Sequence, residues 1–202
     1  LTGAVKYGED EFIVDIDSSD VTLDASVFFS QPLYFSQFKS MFTGTKISRE
    51  WEINMTDVSF LNADLTGTAA ARANVFKGLE EGTLDLQVKV NRIDLSRLPF
   101  YLPKKLQKTK KWLEKRVRSG TAENVLITAT GEMSTSFFTR DGAHFEVDAD
   151  VKQGGIEIGG GWPKVENISG RFSYKDHQIV FSPTDANIFG VDVSDSSLKI
   201  EK

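Results

Sequence analysis

The sequence predicts a mainly β protein, an antiparallel sheet wetted on one face, with a single amphipathic helix near mid-chain. Two observations carry that prediction. Apolar and polar residues alternate with a period of two through most of the 202 residues, the pattern of strands that bury one face and wet the other. Buried parallel strands of a doubly wound α/β protein would read instead as solid apolar runs separated by helices. Second, the segment Leu98–Asn124 alone has a convincing helical period, and strand-like sequence lies on either side of it.

Along the chain, Phe12, Val14 and Ile16 alternate with Ile13, Asp15 and Asp17, and a strand is expected there. A second is expected over 21–29, where Val21, Leu23, Ala25, Val27 and Phe29 share a face opposite Thr22, Asp24, Ser26 and Phe28. Strands at 33–42, 51–55 and 58–68 follow, then an alanine-rich stretch to Val75. Gly78 and Gly82 bracket a turn, after which Leu84, Leu86, Val88 and Val90 alternate with Asp85, Gln87, Lys89 and Asn91. Beyond the helix, Val125, Ile127 and Ala129 alternate with Leu126, Thr128 and Thr130, and Phe145, Val147, Ala149 and Val151 with Glu146, Asp148, Asp150 and Lys152. The last strands are expected near 168–174, 178–182 and 188–200, the final one broken by a turn. Gly159-Gly160-Gly161 reads as a bulge or tight turn.

The helix is expected near residues 103–118, inside an insertion spanning 99–120. Pro99 and Pro103 punctuate its entry, because proline disfavours helix at the residue before it and is tolerated in a first turn. Leu102, Leu106, Leu113 and Val117 form one narrow stripe, with Trp112 on its flank. Gly120 and the Thr-Ala-Glu-Asn that follows are expected to end it. The opposite face is basic: Lys104, Lys105, Lys108, Lys110, Lys111, Lys115, Arg116 and Arg118 against a lone Glu114.

Charge and composition exclude several functions. The net charge is −5, but with those eight basic residues and one acid set aside, the remaining 16 basic and 28 acidic residues stand at −12. An acidic body argues against a nucleic-acid platform. With no cysteine there is neither a disulfide framework nor a thiolate site. No run of 18 apolar residues exists to span a membrane. The chain begins at Leu1 within strand-like sequence and reads as a piece of something longer, with any targeting segment outside it. His144 and His177 are the only histidines, and His144 near Asp141 and Glu146 does not make a metal signature. No nucleophile elbow is present, and Trp162-Pro163 follows the three glycines where a phosphate loop requires Gly-Lys-Ser/Thr. Neither catalytic residues nor a cofactor are indicated. Asp148 and Asp150 sit on the wet side of a strand, and Trp51, Trp112 and Trp162 are expected in the core.

A loose internal repeat relates residues 32–65 to 163–193. Pro32 answers to Pro163, Phe38 to Ile168, Phe42 to Phe172, Trp51-Glu52-Ile53 to Ile179-Val180-Phe181 and Asp57 to Asp185. Alternating strands resemble one another in any case; the sharper reading is a unit of about three strands repeated in an extended sheet.

Several marks resemble the YhdP branch of the AsmA-like family: Tyr101-Leu102-Pro103 before the helix, Trp112-Leu113 within it, Gly131-Glu132-Met133 ending a strand, Gly161-Trp162-Pro163, and Gly170-Arg171-Phe172-Ser173-Tyr174. The resemblance covers nearly the whole chain, most strongly from about Gly82 onward. One departure is Ser136-Phe137-Phe138-Thr139, where the family has a Phe-Pro element. The family is similar to TamB and to the bridge-like lipid transfer proteins. The resemblance implies a large Gram-negative envelope protein, anchored in the inner membrane outside this segment and extending through the periplasm. It also implies a curled β sheet that conducts phospholipid toward the outer membrane without catalysis, in support of the outer-membrane permeability barrier.

One helix masks two or three strands' width. The remaining apolar surface must therefore be buried by the sheet closing as a sandwich or barrel, or line a partly open trough. A large open patch marks an interaction site. With the resemblance added, the expected fold is a curved antiparallel sheet forming a trough from repeated strand units. Its expected lining is Phe12, Val14, Ile16, Leu23 and Val27 before the turn at Gly78, then Leu84, Leu86, Val88, Val125, Ile127, Phe145 and Val147. Leu106, Trp112, Leu113 and Val117 would cap it from the helix, whose basic face would either stay in water or meet anionic lipid headgroups. The expected partners are phospholipid acyl chains, with no nucleic acid. Exposed edges could also pair two copies. The rival reading is a non-catalytic β-sandwich that scaffolds envelope partners.

Overall fold

A computed structural model describes residues 2–26, 28–76, 81–133, 143–157, 159–161, 164–175, 177–188, 191–192, 194 and 196–200. Its strands are β1 (Thr2–Tyr7), β2 (Glu11–Leu23), β3 (Leu33–Ile47), β4 (Glu50–Leu61), β5 (Leu65–Val75), β6 (Gly82–Asp94), β7 (Val117–Met133), β8 (His144–Glu157), β9 (Lys164–Lys175), β10 (Gln178–Ile188), β11 (Val191–Asp192) and β12 (Leu198–Ile200). They form one open antiparallel sheet, hydrogen-bonded in chain order from β1 to β11, with β12 also on β10. Between β6 and β7 come two 3₁₀ turns, Leu98–Tyr101 and Lys104–Leu106, and the helix α1 (Gln107–Arg116).

Two compact units are present. One comprises Leu1–Thr22, Tyr34–Lys89 and Leu126–Glu146; the other comprises Leu23–Leu33, Val90–Val125 and Val147–Lys202. In the first unit Phe35, Phe38, Val58, Leu65 and Val75 are buried, and the Phe35 ring lies 5.6 Å from Phe38 and 5.9 Å from Phe60. The second buries Val90, Ile93, Ala122, Val125, Ala149, Val165, Ile168 and Ala186.

Element boundaries differ from the sequence reading at several places, and three of them have a plain local cause. The two strands expected at 12–17 and 21–29 are one strand ending at Leu23, and Ala25 accepts turn hydrogen bonds from the amides of Phe28 and Phe29. Alternation in 24–29 is therefore turn sequence, and Val27 lies outside the described residues. The strand expected over 58–68 is cut at Asn62, whose Oδ1 accepts from the amides of Asp64 and Leu65, an Asx turn that competes with the ladder. Finally, α1 ends at Arg116. Val117 is extended, its amide still donating to Leu113, and Val117 to Asn124 are strand rather than helix terminus. Val117 is β-branched and stiff in χ1, which favours the ladder it joins.

Several strands bend where a polar residue adopts the left-handed region. Asp20, Asp57, Asn124, Gln153 and Asn167 all sit within strands at φ between 50° and 56°. Short Asp and Asn side chains tolerate this conformation, and each such bulge moves the inward set by one residue. Ala122 and Val125 are accordingly both buried around Asn124, as are Val165 and Ile168 around Asn167.

The β3–β4 and β9–β10 hairpins turn at left-handed Ser48 and His177. Their ladders shift register between Lys39 and Met41 and around Asp185. Gly159, Gly160 and Gly161 all have φ between 66° and 84°, a tight turn that glycine accepts without strain. Trp162 and Pro163 beyond it, and Ser136–Thr139, lie outside the described residues.

Candidate functional site

The feature that stands out is an apolar face in the first unit. Directly opposed residues of an antiparallel ladder share a face, so the registers define it. On β1 and β2, Gly3, Val5 and Tyr7 oppose Ile16, Val14 and Phe12. On β3 and β4, Phe38, Phe42 and Gly44 oppose Phe60, Met55 and Ile53. On β5, Gly67, Ala69, Ala71, Ala73 and Val75 oppose Phe60, Val58, Met55, Ile53 and Trp51 in turn. Phe12 joins the first group to the second, since its ring meets Trp51 at 5.6 Å between centroids. On β6, Leu84, Leu86 and Val88 alternate with exposed Asp85, Gln87 and Lys89.

This face is only partly covered. Phe12, Val14, Ile16, Phe42, Trp51, Ile53, Met55, Leu84, Leu86 and Val88 are all half-buried, while Val5 and Tyr7 are 72% and 82% exposed. On β5 this row carries only glycine and alanine before Val75, and the Phe60 ring lies over Gly67. A polar group also sits on this face: Ser40 is fully buried, and its hydroxyl finds no partner among the described residues.

The expected lining residues divide between the units. Phe12, Val14, Ile16, Leu84, Leu86, Val88, Ile127 and Phe145 belong to the first, and Leu23, Val125 and Val147 to the second. All are half-buried except Val125, which is buried. Sequence reasoning missed Tyr7, Phe42, Trp51, Ile53 and Met55 as part of this surface. It also missed the meaning of alanine at every second position of β5, which was the available signal. In the second unit, Phe172 and Tyr174 oppose Phe181 and Ile179, which oppose Leu198 and Ile200 in turn.

The residues expected to cap from the helix separate. Leu106, Leu113 and Val117 are half-buried, but Trp112 is 51% exposed and is not core. No residue of α1 is buried, and the helix packs on the two 3₁₀ turns before it.

The opposite face is polar and ion-paired. In the first unit Arg72 donates to Glu52 at 2.8 Å and holds that carboxyl below its usual range, with Asn54 adding to the effect. In the second, Asn124 Nδ2 donates to Asp150 Oδ2 and Arg171 Nη1 to Asp150 Oδ1, both at 2.9 Å, and together they lower the Asp150 pKa. Arg118 and Lys164 do the same for Glu157. A cleft of about 520 Å³ opens among Asp15, Lys39, Asp57 and Ser59 together with Met41, Val58 and Ala69, and another of about 550 Å³ among Asp17, Ser18 and Gln37 together with Phe38. No group of three or more metal-ligating side chains occurs among the described residues, and no helix there is long and apolar enough to cross a membrane.

The arrangement can hold apolar chains against one face while keeping the other in water. No curated protein and no solved structure matches the chain. The YhdP protein family matches it over residues 1–202, so the chain belongs to the YhdP family.

Proposed function

We propose that the chain is a segment of a bridge-like lipid transport protein whose apolar face shields phospholipid acyl chains in the periplasm, between the inner and outer membranes. Membership of the YhdP family supports a lipid-transport family of the Gram-negative envelope. The observation that carries the finer reading is the half-exposed apolar face running from β1 to β6. Open apolar surface beyond roughly 300–600 Å² is unusual unless something docks on it, and alkyl chains need no polar partner there. At about 0.8 kcal/mol per buried methylene, such a face retains a lipid tail yet releases it to the next stretch of the same surface.

In this reading the sheet is a trough. The hairpins β3–β4 and β9–β10 are copies of one repeated unit, and the half-buried Leu106, Leu113 and Val117 are the covered stripe of the helical segment. The full protein is anchored in the inner membrane by a segment outside this chain and sustains the outer-membrane permeability barrier. Exposed β1 offers an edge for self-association.

Purification from cells followed by lipid extraction and mass spectrometry tests the proposal. Phospholipid that co-purifies with the chain supports the conduit. A lipid-free preparation supports a scaffold that binds envelope partners instead.

A further inference from the structure

We infer that the outer face of α1 is a docking surface for an anionic lipid bilayer. This inference goes beyond the acyl-chain reading and does not depend on it. At 100° per residue, Lys108, Lys111, Trp112 and Lys115 fall within an arc of about 100°. All four side chains are exposed, and the Trp112 indole, 51% accessible, stands between Lys108 and Lys115 one helical turn to either side. None of these three lysines forms an ion pair with a described residue. By contrast, Lys39, Lys46, Arg72, Arg118, Lys152, Lys164 and Arg171 elsewhere are matched to carboxylates.

A second aromatic is tied to the start of this helical segment. Lys104 donates its amide to the Phe28 carbonyl at 2.8 Å and its ammonium to the Ser26 carbonyl, and the Phe28 side chain is 49% exposed. Water accounts for the lysines of this face, and the indole set among them adds an apolar body. An acidic protein would match the lysines but leave the ring's apolar body without a partner. A bilayer interface satisfies both, because its phosphates attract lysine and its headgroup zone favours tryptophan. The rest of the chain is acidic, so attraction to an anionic surface must come from this patch.

The test is sedimentation of the whole chain with vesicles of phosphatidylcholine alone and of phosphatidylcholine mixed with phosphatidylglycerol. The expected result is salt-sensitive binding to the mixed vesicles, with a shift in tryptophan emission that Trp112→Phe removes. The triple variant K108Q/K111Q/K115Q should bind at least about tenfold more weakly, while K6Q/K39Q/K89Q, of the same net charge, should bind as the parent does. Circular dichroism melting checks that each variant is folded. Equal loss in the two triple variants, equal binding to both vesicle types, or no binding to either would overturn the inference. Co-purified phospholipid is read separately, so failure of docking and failure of the acyl-chain proposal are distinguishable: the docking variants should retain their lipid.

Discussion

The Phe12 ring lies directly over Gly44, so close that a Cβ on Gly44 would fall 2.0 Å from the ring's Cε1. The absence of a side chain at Gly44 lets β2 lay its aromatic residue on β3, where the ring also meets Trp51. Gly44→Ala should therefore displace Phe12 and cost about 1–2 kcal/mol. Urea denaturation gives the cost, and the tryptophan emission of the folded variant should report the lost contact at Trp51. An unchanged midpoint and spectrum would show that the ring moves aside freely.

Asp57 sits at φ 53° where β4 changes its inward face between Met55 and Val58. Asp57→Gly should be tolerated within a few tenths of a kcal/mol. Asp57→Val, branched at Cβ, should cost about 1–2 kcal/mol. Thermal melting of the two variants makes the comparison; equal stability would mean that the strand accepts another register.

The carboxyl of Asp150 is held below its ordinary range first by Asn124 and then by Arg171. A carboxylate with a depressed folded pKa adds stability that is fully present above its unfolded value of about 4 and lost as pH falls through the folded value. Asn124→Gly, which keeps the left-handed backbone at φ 50° without strain, removes the larger cause, so the Asp150 titration midpoint should rise toward the ordinary value. Acid unfolding should begin at higher pH. Carbon-detected NMR titration of the Asp150 side chain reads the first effect directly, and a midpoint unchanged by the substitution would contradict the assignment.

Ala71 leaves a small, half-buried position on the apolar row of β5, opposite Met55. Filling it should obstruct the apolar face without opening a cavity. Ala71→Trp is expected to reduce co-purified phospholipid severalfold while shifting stability by less than about 1.5 kcal/mol, because the site is half-exposed. Lipid mass spectrometry normalised to protein checks this; undiminished lipid would place the acyl chains elsewhere.

What could be read from sequence follows from which forces act locally. β6 was legible because Leu84, Leu86 and Val88 alternate without a break against Asp85, Gln87 and Lys89, and nothing interrupts the ladder. β2 was not, since Asp20 adopts a left-handed conformation that shifts the pattern between Ile16 and Val21. One strand therefore looked like two. The helix was placed, but its end was not, because Val117 to Asn124 are claimed by ladders with distant strands. Trp112 was misassigned by proximity to Leu113: one residue is 100° of arc, enough to carry the indole among the lysines. The apolar face as a whole was legible from alternation, whereas the contributions of β1, β4 and β5 depended on registers that pair residues far apart in the chain.

The most direct measurement is photo-crosslinking in cells from a probe placed at Leu86 and, separately, at its neighbour Gln87. These two residues sit on opposite faces of β6, one half-buried and one exposed, so the pair carries its own control. Lipid adducts at Leu86 and none at Gln87 are predicted. Equal labelling at both positions, or none at Leu86 in folded protein, would contradict the proposal that this face carries acyl chains.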